Sequence, residues 1–287
     1  EKKLYAEWQE LLESQGDLTR IGMLTLEDYA RIVQQETTNP SIVVVRTLSL
    51  RRDADRKKMV VDESGEWEKT AKTVAKLYAD GLVDVVDICG NELNENTTLD
   101  QFVPFIKKLE ELGVPYTLHF LEITVDDLQD GKEVLRNAIA QKNMAALLDN
   151  NLKPILIAHA VRLGKSDDVM SEHVLQYCVD NSIGIVLCPT SNEATGTDDQ
   201  TSEHVLLQLL VRHPELFDKL LLGVGTDDPN ATSDIESGKH LSLEMALIVQ
   251  QLEDLYGNSK SREEIITLMQ RKNAALFAHL KTQSERL

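Results

Sequence analysis

The apolar residues of this chain fall into six short runs: "SIVVV" (41–45), "VDVVDI" (83–88), "PYTLHF" (115–120), "PILIAHA" (154–160), "IGIVLCP" (183–189) and "LLLGVGT" (220–226). Val, Ile and Leu dominate them, and turn residues bound them, so each predicts a strand covered on both faces. Their starts lie roughly 30 to 40 residues apart. Between them the apolar period lengthens to that of a helix. "EWEKTAKTVAKLYADG" (66–81) ends on a stop glycine, and "TLDQFVPFIKKLEELG" (98–113) begins at a Thr98 cap and ends the same way. "SDDVMSEHVLQYCVDN" (166–181) and "SEHVLLQLLVRHPELF" (202–217) read alike. Residues 1–40, opening "EKKLYAEWQELLES", read as a charged, amphipathic helical lead-in rather than a signal peptide.

Continuous apolar strands alternating with helices predict an α/β protein with a parallel sheet. An open doubly wound sheet and a closed (β/α)8 TIM barrel both satisfy the pattern. No glycine-rich phosphate loop follows any run, which removes support for a dinucleotide fold. The spacing suits the barrel, yet a barrel needs eight strands. No linker or low-complexity stretch divides the chain, so residues 1–287 read as one domain.

The formal net charge of −18 repels a phosphate backbone, so duplex nucleic acid is not an expected partner. No apolar run reaches the length of a membrane span. Cys89, Cys178 and Cys188 are widely spaced and odd in number. They read as reduced thiols in a cytoplasmic setting.

In (β/α)8 enzymes the chemistry sits at the C-terminal ends of the strands. Here those ends carry Arg46, then Asp87 with Gly90, Asn91 and Glu92, then His119 with Glu122, then His159, then Thr190, Ser191 and Asn192, then Asp227 and Asp228. Taken singly, a strand-end histidine or an Asp before proline has an ordinary structural explanation. Together they form a mixed imidazole and carboxylate set of the kind a divalent ion accepts. A metal at Asp227 would offset the repulsion of the adjacent carboxylates and could activate a water. Glu122 stands three residues from His119 and could act as acid or base beside it, with His159 handling the water proton. Asp228 is left free to bond a polar substrate edge.

"VDICGNE", "LHFLE", "AHAVRLG", "CPTSNEATG" and "GTDDPNAT" resemble, in order and spacing, the motifs of the adenosine deaminase family of purine deaminases. "RKNAALFAHL" (271–280) is similar to that family's last barrel helix. The resemblance implies zinc held by His119 and Asp227, and proton donation to the purine N1 by Glu122. It implies that His159 works on the attacking water, that the Gly90 backbone contacts the base, and that Asp228 bonds N7. The implied reaction is hydrolytic deamination of a small adenine nucleoside or nucleotide, with ammonia released.

Three departures qualify the resemblance. The family's first strand carries a His-x-His metal motif, which this sequence lacks. Counted back from Asp227, the six runs take the places of strands three to eight, so the first two β/α units are expected to be absent. A barrel opened in this way is expected to associate with a further N-terminal domain or another copy. Phe120 and Leu121 replace small residues beside His119, and Ala158 and Ala160 replace glycines around His159; bulk there is expected to reshape the pocket. "RTLSLRRDADRKK" (46–58) reads as a basic loop able to bind the phosphates of AMP or ATP. A catalytically inactive deaminase-like module that binds nucleotide or a partner, and another metal-dependent amidohydrolase, are the competing readings.

Overall fold

A computed structural model describes residues 47–52, 55–61, 64–90, 92, 96–122, 132–163, 168–194, 205–225, 227 and 241–285. The helical lead-in, the 41–45 run, Arg46, Asn91 and Asp228 lie outside the described residues. Six strands, β1 (Thr47–Arg51), β2 (Val85–Cys89), β3 (Tyr116–Phe120), β4 (Leu156–His159), β5 (Gly184–Leu187) and β6 (Leu222–Val224), form one sheet in the order of the sequence. Every pairing is parallel.

Sequential order has a geometric consequence. Each crossover steps in the same direction, and right-handed crossovers then place every connecting helix on one face. A doubly wound sheet reverses its order and carries helices on both faces. The six strands therefore build a barrel-like wall. Among the described residues β1 pairs only with β2 and β6 only with β5.

The two faces of this wall differ in chemistry. One register row runs Leu50, Ile88, Leu118, Ile157, Ile185, Leu222 across all six strands, and every member is fully buried. Its partners include Phe102, Phe105, Ile106 and Leu109, on the segment Leu99–Glu111. Burying each such side chain contributes roughly 1.5–3 kcal/mol. The neighbouring row on the opposite face runs Ser49, Asp87, Thr117, Leu156, Gly184, and only Gly184 is fully covered.

Five of the runs become strands within a few residues of their expected bounds. The sixth, 41–45, lies outside the described residues; the basic-loop expectation is corrected over residues 47–51, which are β1. The strand alternates exposed and buried positions, because its second face lies open at the edge of the wall. A search for continuous apolar runs passes over such a strand. The helix expected over 202–217 divides into Val205–Arg212 and Pro214–Lys219, since Pro214 removes a donor and excludes the helical conformation before it.

The helix Arg262–Glu285, which contains "RKNAALFAHL", secures the β6 edge. Asn273 Oδ1 accepts the outward N–H of Val224 at 2.9 Å. Leu276 presses on Gly184 and Gly223, where an added Cβ would come within 2.5 Å of its methyl groups. The buried Lys272 ammonium donates to the carbonyls of Phe217, Asp218 and Leu220, capping the helix Pro214–Lys219. No helix among the described residues is long and apolar enough to cross a membrane.

Candidate active site

Asp87 and His119 emerge on the open face of β2 and β3. Thr117 Oγ1 donates to Asp87 Oδ1 at 2.6 Å, and His119 Nε2 lies 3.3 Å from Asp87 Oδ2. Beyond β3 the chain turns at Leu121, whose φ of 59° is left-handed. The turn returns Glu122 to its own strand end, with Oε2 3.4 Å from His119 Nδ1.

His159 reaches the same place by a local distortion. Strand alternation would put it beside Ile157 on the helix-facing side. Instead His159 and Ala160 adopt φ values of 69° and 52°. The His159 Nε2 consequently lies 3.2 Å from His119 Nδ1 and 3.5 Å from Glu122 Oε2. The two rings stand 4.7 Å apart at a 59° tilt. Asn192 Oδ1 accepts from His159 Nδ1 at 2.9 Å, which leaves Nε2 facing the His119–Glu122 pair. Leu121, His159, Ala160 and Asp227 are all left-handed and all follow or end a strand. Each such non-glycine residue costs about 1–2 kcal/mol. The cost is concentrated where the polar side chains are aimed.

The charges are coupled. Burial alone would lower the His119 pKa, but hydrogen bonds to Asp87 and Glu122 carry it up to about 10. Burial would raise the Asp87 carboxyl, and the His119 and Thr117 hydrogen bonds hold it below its ordinary value instead. Metal-free, this pair is an imidazolium with a carboxylate. Burial pushes the Cys89 thiol up to about 12, so it offers no ready thiolate.

Behind the site lies an ion pair that the sequence presented as two unrelated residues. Arg52 and Glu92 are fully buried and 2.6 Å apart. Arg52 also donates to the His119 carbonyl. Glu92 accepts from the Leu121 amide at 2.9 Å and from Asn143 at 2.8 Å. The basic-loop expectation is thereby corrected: Arg52 is committed inside the protein, Arg56 bonds the Asn96 carbonyl, and Lys58 pairs with Asp55. Phe120 and Leu121 are corrected too. Both lie in the hydrophobic core, away from the open face.

Gly90 follows β2 with φ 96°, a backbone shape that glycine adopts freely. Three consecutive residues after β5 each engage a different element. Thr190 bonds the buried Glu244, Ser191 Oγ donates to Asp227 Oδ2 at 2.6 Å, and Asn192 holds His159. Asp227 itself is exposed. Among the described residues, His119, Glu122 and His159 are the group that could hold a metal ion, with donor atoms within 4.8 Å of one another. Asp227 is outside that group, and Asp228 is outside the described residues.

A sequentially ordered parallel wall with imidazoles and carboxylates at its C-terminal strand ends defines the class: an α/β protein arranged like part of a (β/α)8 barrel. No protein-family model and no curated protein matches the chain. Solved structures share its fold. The apo N6-methyl-AMP deaminase of Arabidopsis thaliana superposes with a TM-score of 0.53 at 22% identity, over 91% of this chain and 66% of that one. The adenine deaminase of Arthrobacter aurescens gives 0.53 at 17% identity, over 88% and 66%. The 5-methylcytosine deaminase of Klebsiella pneumoniae gives 0.53 at 13% identity, over 88% and 56%. The chain thus spans no more than about two thirds of these structures' lengths.

Proposed function

We propose that this chain carries the catalytic wall of a zinc-dependent deaminase acting on an adenine nucleoside or nucleotide. Its six strands take the places of strands three to eight in a (β/α)8 barrel. The observation that carries the reading is the convergence of Asp87, His119, Glu122 and His159 at three adjacent strand ends. Two of the folds it resembles belong to deaminases of N6-methyl-AMP and adenine, and a further one, at TM-score 0.50 and 20% identity, was solved bound to IMP.

The donor chemistry suits zinc. His119 has a carboxylate at each ring nitrogen, so one side can face a metal while the other orients the ring. His119 and Asp227 are the proposed ligands among these residues. When bound, the metal would supply a Lewis acid and an activated water. Glu122 gives its proton to the ring nitrogen beside the amino-bearing carbon. His159 Nε2 takes the proton of the attacking water. Water adds at that carbon; His159 passes the proton it took to the amino group, which leaves as ammonia, and Glu122 recovers the proton of the added hydroxyl as the carbonyl forms. The Gly90 backbone and Asp228 bond the base and set its orientation. With Arg52, Arg56 and Lys58 committed elsewhere, the basic stretch gives AMP or ATP less support over adenosine.

The test is metal content of the protein, together with ammonia release from adenosine, AMP and ATP after zinc loading. One equivalent of zinc with turnover on at least one compound supports the reading. Absence of both overturns it. That Asp227 stands outside the donor group of His119, Glu122 and His159 favours a second reading, an inactive nucleotide-binding module. Binding without turnover, unchanged by Glu122→Ala, would establish that instead.

A further inference from the structure

We infer that Arg52 and Glu92 form a positioning pair that holds the turn between His119 and Glu122. The kinetic part of the inference rests on the deaminase reading; the structural part does not. Their hydrogen bonds go to each other, to backbone and to Asn143 rather than to the imidazole rings. Arg52 follows β1 and donates one nitrogen to Glu92 Oε1 and the other to the carbonyl of His119. Glu92 follows β2 and accepts the amide of Leu121 with its second oxygen. One ion pair thus grips the backbone on both sides of Phe120. Asn143, from the helix Lys132–Asp149, fixes Glu92 from behind and also accepts the Leu99 amide.

The gripped segment is the one that needs holding. Leu121 is left-handed, and its conformation is what brings Glu122 back to within 3.5 Å of both imidazoles. A leucine released from such a conformation relaxes toward ordinary strand geometry, and Glu122 moves with it. Stability alone does not account for the pair. Fully buried ion pairs are commonly matched or exceeded by apolar side chains of equal volume. Geometry does account for it: the guanidinium fork bonds a carboxylate and a carbonyl at once, which a lysine ammonium, a single point donor, cannot reproduce in the same directions. Outer partners of this sort fix the groups that perform the chemistry.

The test compares Arg52→Lys and Glu92→Gln with Lys272→Met in the full chain. Lys272 bonds the carbonyls of Phe217, Asp218 and Leu220, at the entry end of β6 and so opposite the strand end that leads to Asp227, and serves as a structural control. Hydrogen exchange at the Leu121 amide, thermal midpoint, and kcat and KM of the zinc-loaded protein are measured for each. In the first two variants the Leu121 amide loses protection relative to Leu118, and kcat falls about 10- to 100-fold with KM little changed. Lys272→Met lowers the midpoint and leaves both other readings intact. Should Glu92→Gln fail to fold, Arg52→Lys, which keeps the charge, decides the question. Retained Leu121 protection and unchanged kcat in folded Arg52→Lys would overturn the inference. If the wild type turns over no adenine compound, the deaminase reading falls, and Leu121 exchange still decides the pair.

Discussion

Two neighbouring rows of one sheet follow opposite rules. The row from Leu50 to Leu222 is aliphatic in every strand and dry. The adjacent row, from Ser49 through Asp87 and Thr117, turns to polar residues and leads up to His119. The first row is covered by helices and contributes stability. The second row faces away from the connecting helices, with Leu276 of the helix Arg262–Glu285 covering its Gly184 end, and the strand ends beside it carry left-handed residues, an imidazolium and half-buried carboxylates. Separating the two allows the open face to hold costly groups without weakening the core.

Substitutions can break this division. The largest effect belongs to His119→Ala. It should remove zinc binding and reduce ammonia release to background while leaving the metal-free urea midpoint close to wild type near pH 10, where the stabilisation by the His119 imidazolium has been lost. Leu118→Ala, one residue away but in the dry row, should do the reverse. It should cost about 2–5 kcal/mol in urea unfolding, with kcat per folded molecule unchanged. Similar stability losses from both substitutions would erase the distinction.

A pH series sharpens it. The metal-free His119 pKa is raised to about 10, above the ordinary 6.5 of the unfolded chain. Its stabilisation is therefore complete below pH 6.5 and is lost as pH rises toward 10. The difference in unfolding free energy between wild type and His119→Ala should shrink over that window. A difference constant with pH would contradict the imidazolium–carboxylate pair. The smallest effect concerns backbone shape. Ala160→Gly should relieve about 1–2 kcal/mol of left-handed cost against roughly 0.5–1 kcal/mol of glycine entropy, a small net gain in urea midpoint. Leu121→Gly relieves the same conformation but loses a fully buried side chain, and should destabilise.

The same division sets what the sequence disclosed. β2 to β6 were legible because strands covered by helices carry continuous apolar runs. β1 was not, since its exposed face interrupts the run with Thr47, Ser49 and Arg51. The meeting of His119, Glu122 and His159 was legible from strand-end position and motif resemblance. How His159 arrives was not, because alternation alone sends it to the wrong face and only its left-handed backbone corrects this. Arg52 was hidden among neighbouring basic residues, where a charge run ordinarily signals a solvated loop. Phe120 and Leu121 appeared to crowd the site because their neighbours in the chain belong to it, yet both are packed in the core.

The most direct test of the proposed chemistry is the Glu122→Gln variant, with zinc content and ammonia release measured on the same sample. If Glu122 is the proton donor, the variant keeps its zinc and loses turnover by about 100- to 10,000-fold. Loss of zinc together with turnover would make Glu122 a metal ligand beside His119 and His159, and undiminished turnover would remove it from the reaction; either result contradicts the proposed roles.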